Sequence, residues 1–272
     1  MDENSEPTGV KAVERALDVL SCFTLEAPEM GLVEISTQTG LSKATVHRLL
    51  TTLSLKKFVE QDPSSSRYRL GTKLMELGTV ARSQMNYLDK AGPILRDLVY
   101  EVDETVAVAV LDGAYHVCTW VQEPARPVRV TTALGVRRPC YFGAAGMVLL
   151  AYQPDAVLDE ILPSDKLEAF TVWSTTDPQE YRRRLHTVRE QGYAIERGEA
   201  FSDVAATAAP IFDHRGRMVA APGIIAPTHR MPDDRLPDLL KKLTDAATRI
   251  SLELGAPRSV LPDSFALPGH RA

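Results

Sequence analysis

The sequence predicts an α+β protein: an amino-terminal winged helix-turn-helix, a connecting helix and a larger α/β domain. Three observations carry this. Residues 31–58 read GLVEISTQTGLSKATVHRLLTTLSLKKF, two short amphipathic segments hinged at Gly40. Two short β-prone stretches follow, separated by Asp62-Pro63-Ser64-Ser65-Ser66, and this pattern reads as a hairpin with a polar tip. Beyond residue 105 the apolar period shifts from helical spacing to strand-like runs and back.

The first periodic segment runs from Val10 to Phe23, with Val13, Ala16, Leu17 and Leu20 at helical spacing, and is the scaffold helix. In the second half of the hinged pair, Val46, Leu49, Leu50 and Leu53 fall at i, i+3, i+4 and i+7, one buried stripe. The far side then holds Ala44, His47, Arg48, Thr51 and Thr52, with Thr45 at its edge, where they can reach a major groove. Ser42 suits the N-cap and leaves Lys43 in the first turn, near the end that meets base edges and phosphates. Arg67 and Arg69 are two residues apart, on one side of a strand, as a wing lying along a phosphate backbone requires. Candidate DNA contacts are therefore Ser42, Lys43, Thr45, His47, Arg48, Thr52, Arg67 and Arg69; His47 either touches phosphate or simply faces solvent.

Charge supports a local nucleic-acid surface. The whole chain of 272 residues carries −5, which disfavours a sequence-blind architectural DNA binder. Between Ser42 and Gly71, however, six cations (Lys43, Arg48, Lys56, Lys57, Arg67, Arg69) face two carboxylates (Glu60, Asp62), a local +4.

Thr72–Met85 places Leu74, Leu77, Gly78, Ala81 and Met85 on one face and is read as a linker helix, and Leu88, Ala91, Leu95, Leu98 and Val102 open the larger domain around Pro93. Val106–Gln122 is β-rich around Asp112-Gly113, a hairpin signal. Asp177-Pro178-Gln179-Glu180 starts a helix that Gly192 ends. Tyr193–Glu199, Ala205–Phe212 and Met218–Ile225 read as strands of an antiparallel sheet, in which Pro222 marks a bulge or an edge. Leu236 to Leu254 is a long helix. The expected boundaries are 10–71 for the winged domain, 72–87 for the linker, 88–255 for the larger domain and 256–272 for a loose tail.

Three separated cysteines, an acidic start and the lack of an apolar run of bilayer length point to the cytoplasm and away from a membrane. No metal-ligand spacing or cofactor motif is present. Cys140 with scattered histidines admits an enzymatic reading of the larger domain, but no local nucleophile signature surrounds it, and a packed neutral thiol is the simpler reading.

Six stretches in order, VERALDVLSCF, GLSKATVHRLLTTL, YRLGTKLMELG, GYAIERGE, AAPIFDHRGRMVAA and APTHR, resemble the IclR family of bacterial transcription regulators. The resemblance implies a GAF-like effector domain, a homodimer or homotetramer on a palindromic operator, and a small-molecule effector controlling a nearby operon. It further implies an effector cup in which Ala144, Ala145 and Gly146 begin a helix whose amides hold an anion. The opposite wall corresponds to Glu196, Ala206, Gly223 and Ile225. Relatives often place a thiol and two serines there, so these apolar replacements disfavour a tiny oxo acid. The expected effector is a bulkier acid, amide or hydrazide, aromatic or similar in bulk, packed on Cys140, Phe142 and Trp120.

Overall fold

The computed structural model describes residues 9–24, 26–83, 85, 87–162 and 165–262. The chain divides into two compact units between residues 85 and 86.

In the first unit, α1 (Lys11–Ser21), α2 (Leu32–Thr39) and α3 (Lys43–Leu55) surround one small core, and β1 (Glu29–Met30), β2 (Val59–Gln61) and β3 (Tyr68–Leu70) form an antiparallel sheet in the order β1-β3-β2. The core is Val19, Cys22, Phe23, Met30, Ile35, Val46, Leu50, Leu53, Val59 and Tyr68. Gly40, at φ +68°, makes the left-handed turn between α2 and α3, a conformation glycine reaches without steric cost. α1 turns Ala16, Val19 and Leu20 toward this core, Phe23 follows just beyond the helix, and Val13 and Leu17 are left exposed. Of the four residues at helical spacing, only Ala16 and Leu20 thus face inward. α4 (Thr72–Ser83) follows the wing with no buried residue; residues 84 and 86 of the expected linker lie outside the described residues. Gly71 at its start is required by packing, since a Cβ there would sit 2.2 Å from the Lys57 carbonyl oxygen.

The second unit is a sheet between helical layers. It comprises α5 (Tyr87–Val102), β4 (Thr105–Asp112), β5 (Tyr115–Gln122), β6 (Arg137–Pro139), α6 (Gly143–Ala151), α7 (Asp155–Ile161), α8 (Pro178–Gln191), β7 (Ala194–Arg197), β8 (Val204–Ala208), β9 (Ile211–Phe212), β10 (Met218–Pro227) and α9 (Leu236–Glu253). Every pairing is antiparallel among the described residues, in the order β6-β5-β4-β10-β8-β7, with β9 beside β10. α6, α7 and α8 cover one face, packing Met147, Val148, Leu158, Leu185 and Val188 on Ala109, Ala194, Ala208 and Ala221. α5 and α9 pack together and against the strands from the other side. Small residues on the strands let α6 approach closely.

Pro222 lies inside β10, paired with Val108 of β4; on its other flank, where the neighbour changes from β8 to β9, its carbonyl accepts the Ala209 N–H at 3.0 Å. The residue without an N–H thus stands where the ladder changes partners. The expected tail is corrected. The tail begins in order, with Ala256 buried and a 3₁₀ turn at Arg258–Val260; residues 263–272 lie outside the described residues.

Candidate functional sites

The first site is the outer face of α3. Ser42 Oγ accepts the Thr45 N–H at 3.3 Å and lies 2.9 Å from the Thr45 hydroxyl, the N-cap geometry that fixes where the helix begins. Val46, Leu50 and Leu53 are buried and Leu49 is half-buried, so Lys43, Ala44, His47, Arg48, Thr51 and Thr52 face outward together. The Thr51 and Thr52 hydroxyls donate to the carbonyls of His47 and Arg48, which still leaves their oxygens as acceptors.

The wing is stiffened at its tip. Asp62 Oδ1 accepts the N–H groups of Ser64 and Ser65, each at 2.8 Å, and the Ser64 hydroxyl at 2.5 Å. These bonds, led by the hydroxyl, hold its carboxyl well below the usual carboxylate range. Sequence reasoning placed Arg67 and Arg69 together on the phosphate side; the structure gives them different carboxylate partners. Arg67 reaches the Glu29 carbonyl at 2.7 Å and the Glu34 carboxylate at 2.9 Å, the same carboxylate that accepts the Gly31 N–H at the start of α2. Arg69 lies in register between Glu29 and Glu60 and pairs with Glu60 at 3.2 Å. Any phosphate must therefore compete with these carboxylates, contacts the spacing of two could not reveal.

The second site is a cavity of about 20 Å³ on the α6 face of the larger unit's sheet, room for roughly one water. Tyr141, Gly143 and Met147 contribute from the start of α6, Glu196 from β7, Glu199 from the turn after it, Tyr181 from α8, and Glu168, Phe170, Ser174 and Thr175 from the segment preceding α8. That segment is hooked over the opening: the Thr171 hydroxyl donates to the Gly198 carbonyl at 2.6 Å and the Ser174 hydroxyl to the Glu199 carbonyl at 2.7 Å.

Glu196 is the most buried of the three carboxylates lining the cavity, 2 % exposed. Its Oε2 accepts the N–H groups of Glu199 at 3.0 Å and Ala200 at 3.4 Å, while its Oε1 takes no hydrogen bond among the described residues. Burial pushes its carboxyl up to about 7; Glu199 adds to the rise, and the two N–H donors and Arg184 oppose it. Arg184 itself is bound to both oxygens of Glu199, at 2.6 and 2.7 Å.

The expected effector residues divide. Glu196, Ala206 and Ile225 form one cross-strand row, and Gly223 pairs with Ala208 on the same face as α6. Of these four, only Glu196 lines the cavity. Phe142 precedes α6, its ring 4.8 Å from Phe170 and 5.5 Å from Phe201. Ala144 is buried and Ala145 half-buried in the helix beside the cavity. Gly146 is small for an internal reason: a Cβ there would lie 2.3 Å from the Cys140 carbonyl oxygen. Cys140 is fully buried, its thiol pushed up to about 11 by burial. His116 nearby is held at about 4 by burial and then by Arg138. Both are neutral at pH 7, so no thiolate–imidazolium pair forms here.

Trp120 is the clear correction. It pairs with Val108, and Pro222 opposite alternates with Ala221 and Gly223 of the α6 face. Trp120 therefore faces the α5 and α9 side, away from the cavity. Sequence reasoning missed Tyr141, Gly143, Met147, Glu168, Phe170, Ser174, Thr175, Tyr181 and Glu199, although Tyr141 stands between the expected Cys140 and Phe142 and Glu199 falls within GYAIERGE.

Among the described residues no helix is long and apolar enough to cross a membrane, and no three His, Cys, Asp or Glu side chains are placed so that they could hold a metal ion. The profile of the IclR helix-turn-helix domain matches residues 12–63, and that of the bacterial transcriptional regulator IclR C-terminal domain matches residues 79–252. The chain is 32 % identical over 248 residues to the HTH-type transcriptional regulator XynR of Escherichia coli (strain K12), covering 91 % of this chain and 98 % of that one. It is 33 % identical over 253 residues to the glycerol operon regulatory protein of Streptomyces coelicolor, covering 92 % and 98 %. A crystal structure of an IclR transcriptional regulator from Alicyclobacillus acidocaldarius superposes with a TM-score of 0.80 at 29 % identity, covering 90 % and 99 %.

Proposed function

Because the chain belongs to the IclR family of bacterial transcriptional regulators, and is thus a DNA-binding regulator and not an enzyme, we propose that it represses a nearby catabolic operon. Release follows when a small organic molecule, an acid or amide with an apolar body, binds at the cavity beside α6. The protein works in the cytoplasm. It binds as a homodimer or homotetramer to a palindromic operator, because two recognition helices related by a dyad meet half-sites about one helical turn apart. The apolar side chains left exposed on α1 (Val13, Leu17) and α4 (Met75, Leu77, Val80) are surfaces a second copy can cover.

The observation that carries the DNA reading is the capped α3 with Arg48 and its neighbours projecting from one face. Arg48 reads a guanine edge, and Lys43, Thr45, His47 and Thr52 hold the helix against the duplex. Arg67 and Arg69 exchange their carboxylate partners for phosphate on binding. Footprinting on DNA upstream of the protein's own gene tests this. Arg48→Ala should lose about 1–3 kcal/mol and relax one operator position, and Arg67→Ala should weaken binding evenly while lowering the salt slope by about one. Unchanged affinity and preference in Arg48→Ala would remove it from base readout.

Effector action needs no new contact with DNA. A ligand that binds the DNA-incompetent arrangement better shifts the population toward it, by its differential affinity alone.

A further inference from the structure

Resting on that reading of the cavity, we infer that the effector presents a nitrogen-bearing, hydrogen-bond-donating head, an amide, amine or amidine, to Glu196, and not a carboxylate. Three carboxylates, Glu168, Glu196 and Glu199, line the space, and no lysine, arginine or histidine does among the described residues. The cation beside it, Arg184, is already held bidentately by Glu199 and also donates to the Thr175 hydroxyl. A carboxylate arriving at this end would meet like charge without a free cationic partner. The start of α6 offers backbone N–H groups, but they share the cavity with all three acids.

Two of the four lining hydroxyls offer no proton to a ligand. Tyr181 donates to the Tyr141 carbonyl at 3.2 Å and Ser174 to the Glu199 carbonyl. Glu196, which lines the space and is 98 % removed from solvent, leaves its Oε1 as an acceptor with no partner among the described residues. An N–H of the ligand satisfies it, and a cationic head also balances its charge. Phe170 and Tyr141, with ring centroids 6.0 Å apart, offer an aromatic body a flat wall once the hooked segment parts from Gly198 and Glu199.

The ionisable groups facing Glu196 are Glu168 and Tyr141, Tyr181 and Arg184 of α8, and Glu199. Glu196 changes charge around pH 7. Its ionised fraction rises about tenfold between pH 6 and pH 8, so a cationic head should bind about tenfold more tightly at pH 8 than at pH 6.

Three probes of nearly one shape separate the alternatives: benzamidine, benzamide and benzoate, titrated into the full-length protein by calorimetry at pH 6 and pH 8. We expect affinity in the order benzamidine, benzamide, benzoate at pH 8, a roughly tenfold loss for benzamidine at pH 6, and loss of its advantage over benzamide in Glu196→Gln. Should that variant fail to fold, the pH dependence of the unaltered protein still decides. Benzoate binding most tightly, or benzamidine giving no heat at millimolar concentration, overturns the inference. A gel shift on upstream DNA runs alongside. Specific retention together with a benzoate preference sinks this inference alone, whereas no retention at low salt sinks the regulatory reading beneath it.

Discussion

Replacing Gly146 with alanine tests whether this glycine is imposed by the chain's own turn or left open for a ligand. The new Cβ would stand 2.3 Å from the Cys140 carbonyl oxygen, 3.1 Å from its carbonyl carbon and 3.4 Å from His116 Nδ1. A comfortable contact is about 3.5 Å, so the first distance is short by about 1.2 Å. Cys140 cannot simply retreat, because it is fully buried and its N–H is bonded to the Ala114 carbonyl at 2.9 Å. Overpacking of this kind costs about 1–3 kcal/mol, and a backbone clash belongs at the top of that range. Alanine recovers about 1 kcal/mol of helix propensity, leaving a net loss of about 2 kcal/mol. Gly78 in α4 is the control, since a Cβ there meets nothing within 4 Å; Gly78→Ala should gain up to about 1 kcal/mol. Both tryptophans, Trp120 and Trp173, lie in the second unit, so their fluorescence reports its unfolding separately from helical circular dichroism. With a urea slope of about 2 kcal/mol per molar, Gly146→Ala should lower the fluorescence midpoint by about 1 M. An unchanged or higher midpoint would refute the steric argument.

Further expectations concern buried charge. Glu104, fully buried, accepts from Arg230 at 2.9 and 2.7 Å and from Arg235 at 2.9 Å; Glu104→Ala strands two half-buried guanidiniums and should cost about 3–5 kcal/mol in urea unfolding. A loss below about 1 kcal/mol would mean this cluster behaves as an exposed ion pair. Titration provides another test. Glu196, raised from 4.5 to about 7 in the folded protein, binds protons the unfolded chain has released, so its contribution is lost as pH rises through that window. His116, lowered from 6.5 to about 4, acts oppositely: its contribution is lost as pH falls below 6.5. The slopes, each up to about 1.4 kcal/mol per pH unit, oppose one another between about pH 4.5 and 6.5. Glu196→Gln should therefore expose the histidine slope and be more stable than the unaltered protein at pH 8; parallel pH curves for the two would contradict the Glu196 assignment, and a variant whose stability does not fall as pH drops below 6.5 would contradict that of His116.

The winged domain was legible because its determinants are local. Ser42, the 46-49-50-53 stripe and Gly40 act within a few residues of one another, and helical period alone assigns inside and outside. The ion-pair partner of Arg67 was hidden for the opposite reason: Glu34 lies 33 residues earlier, and only the addition of β1 to the wing brings them together. The larger domain follows the same division. The Asp112-Gly113 turn and the Asp177 and Gly192 caps could be read from the chain, whereas the face on which Trp120 falls depends on a shift of pairing between Val108 and Ala109.

By itself the amino-acid order determined the element types, the outward face of α3 and the family, since periodicity, caps and ordered motifs are properties of neighbouring residues. Tertiary structure alone decided the composition of the cavity. Glu168, Tyr181 and the Glu196–Glu199 pair come from three separate stretches, and burial, which no local pattern encodes, sets the charge that Glu196 carries.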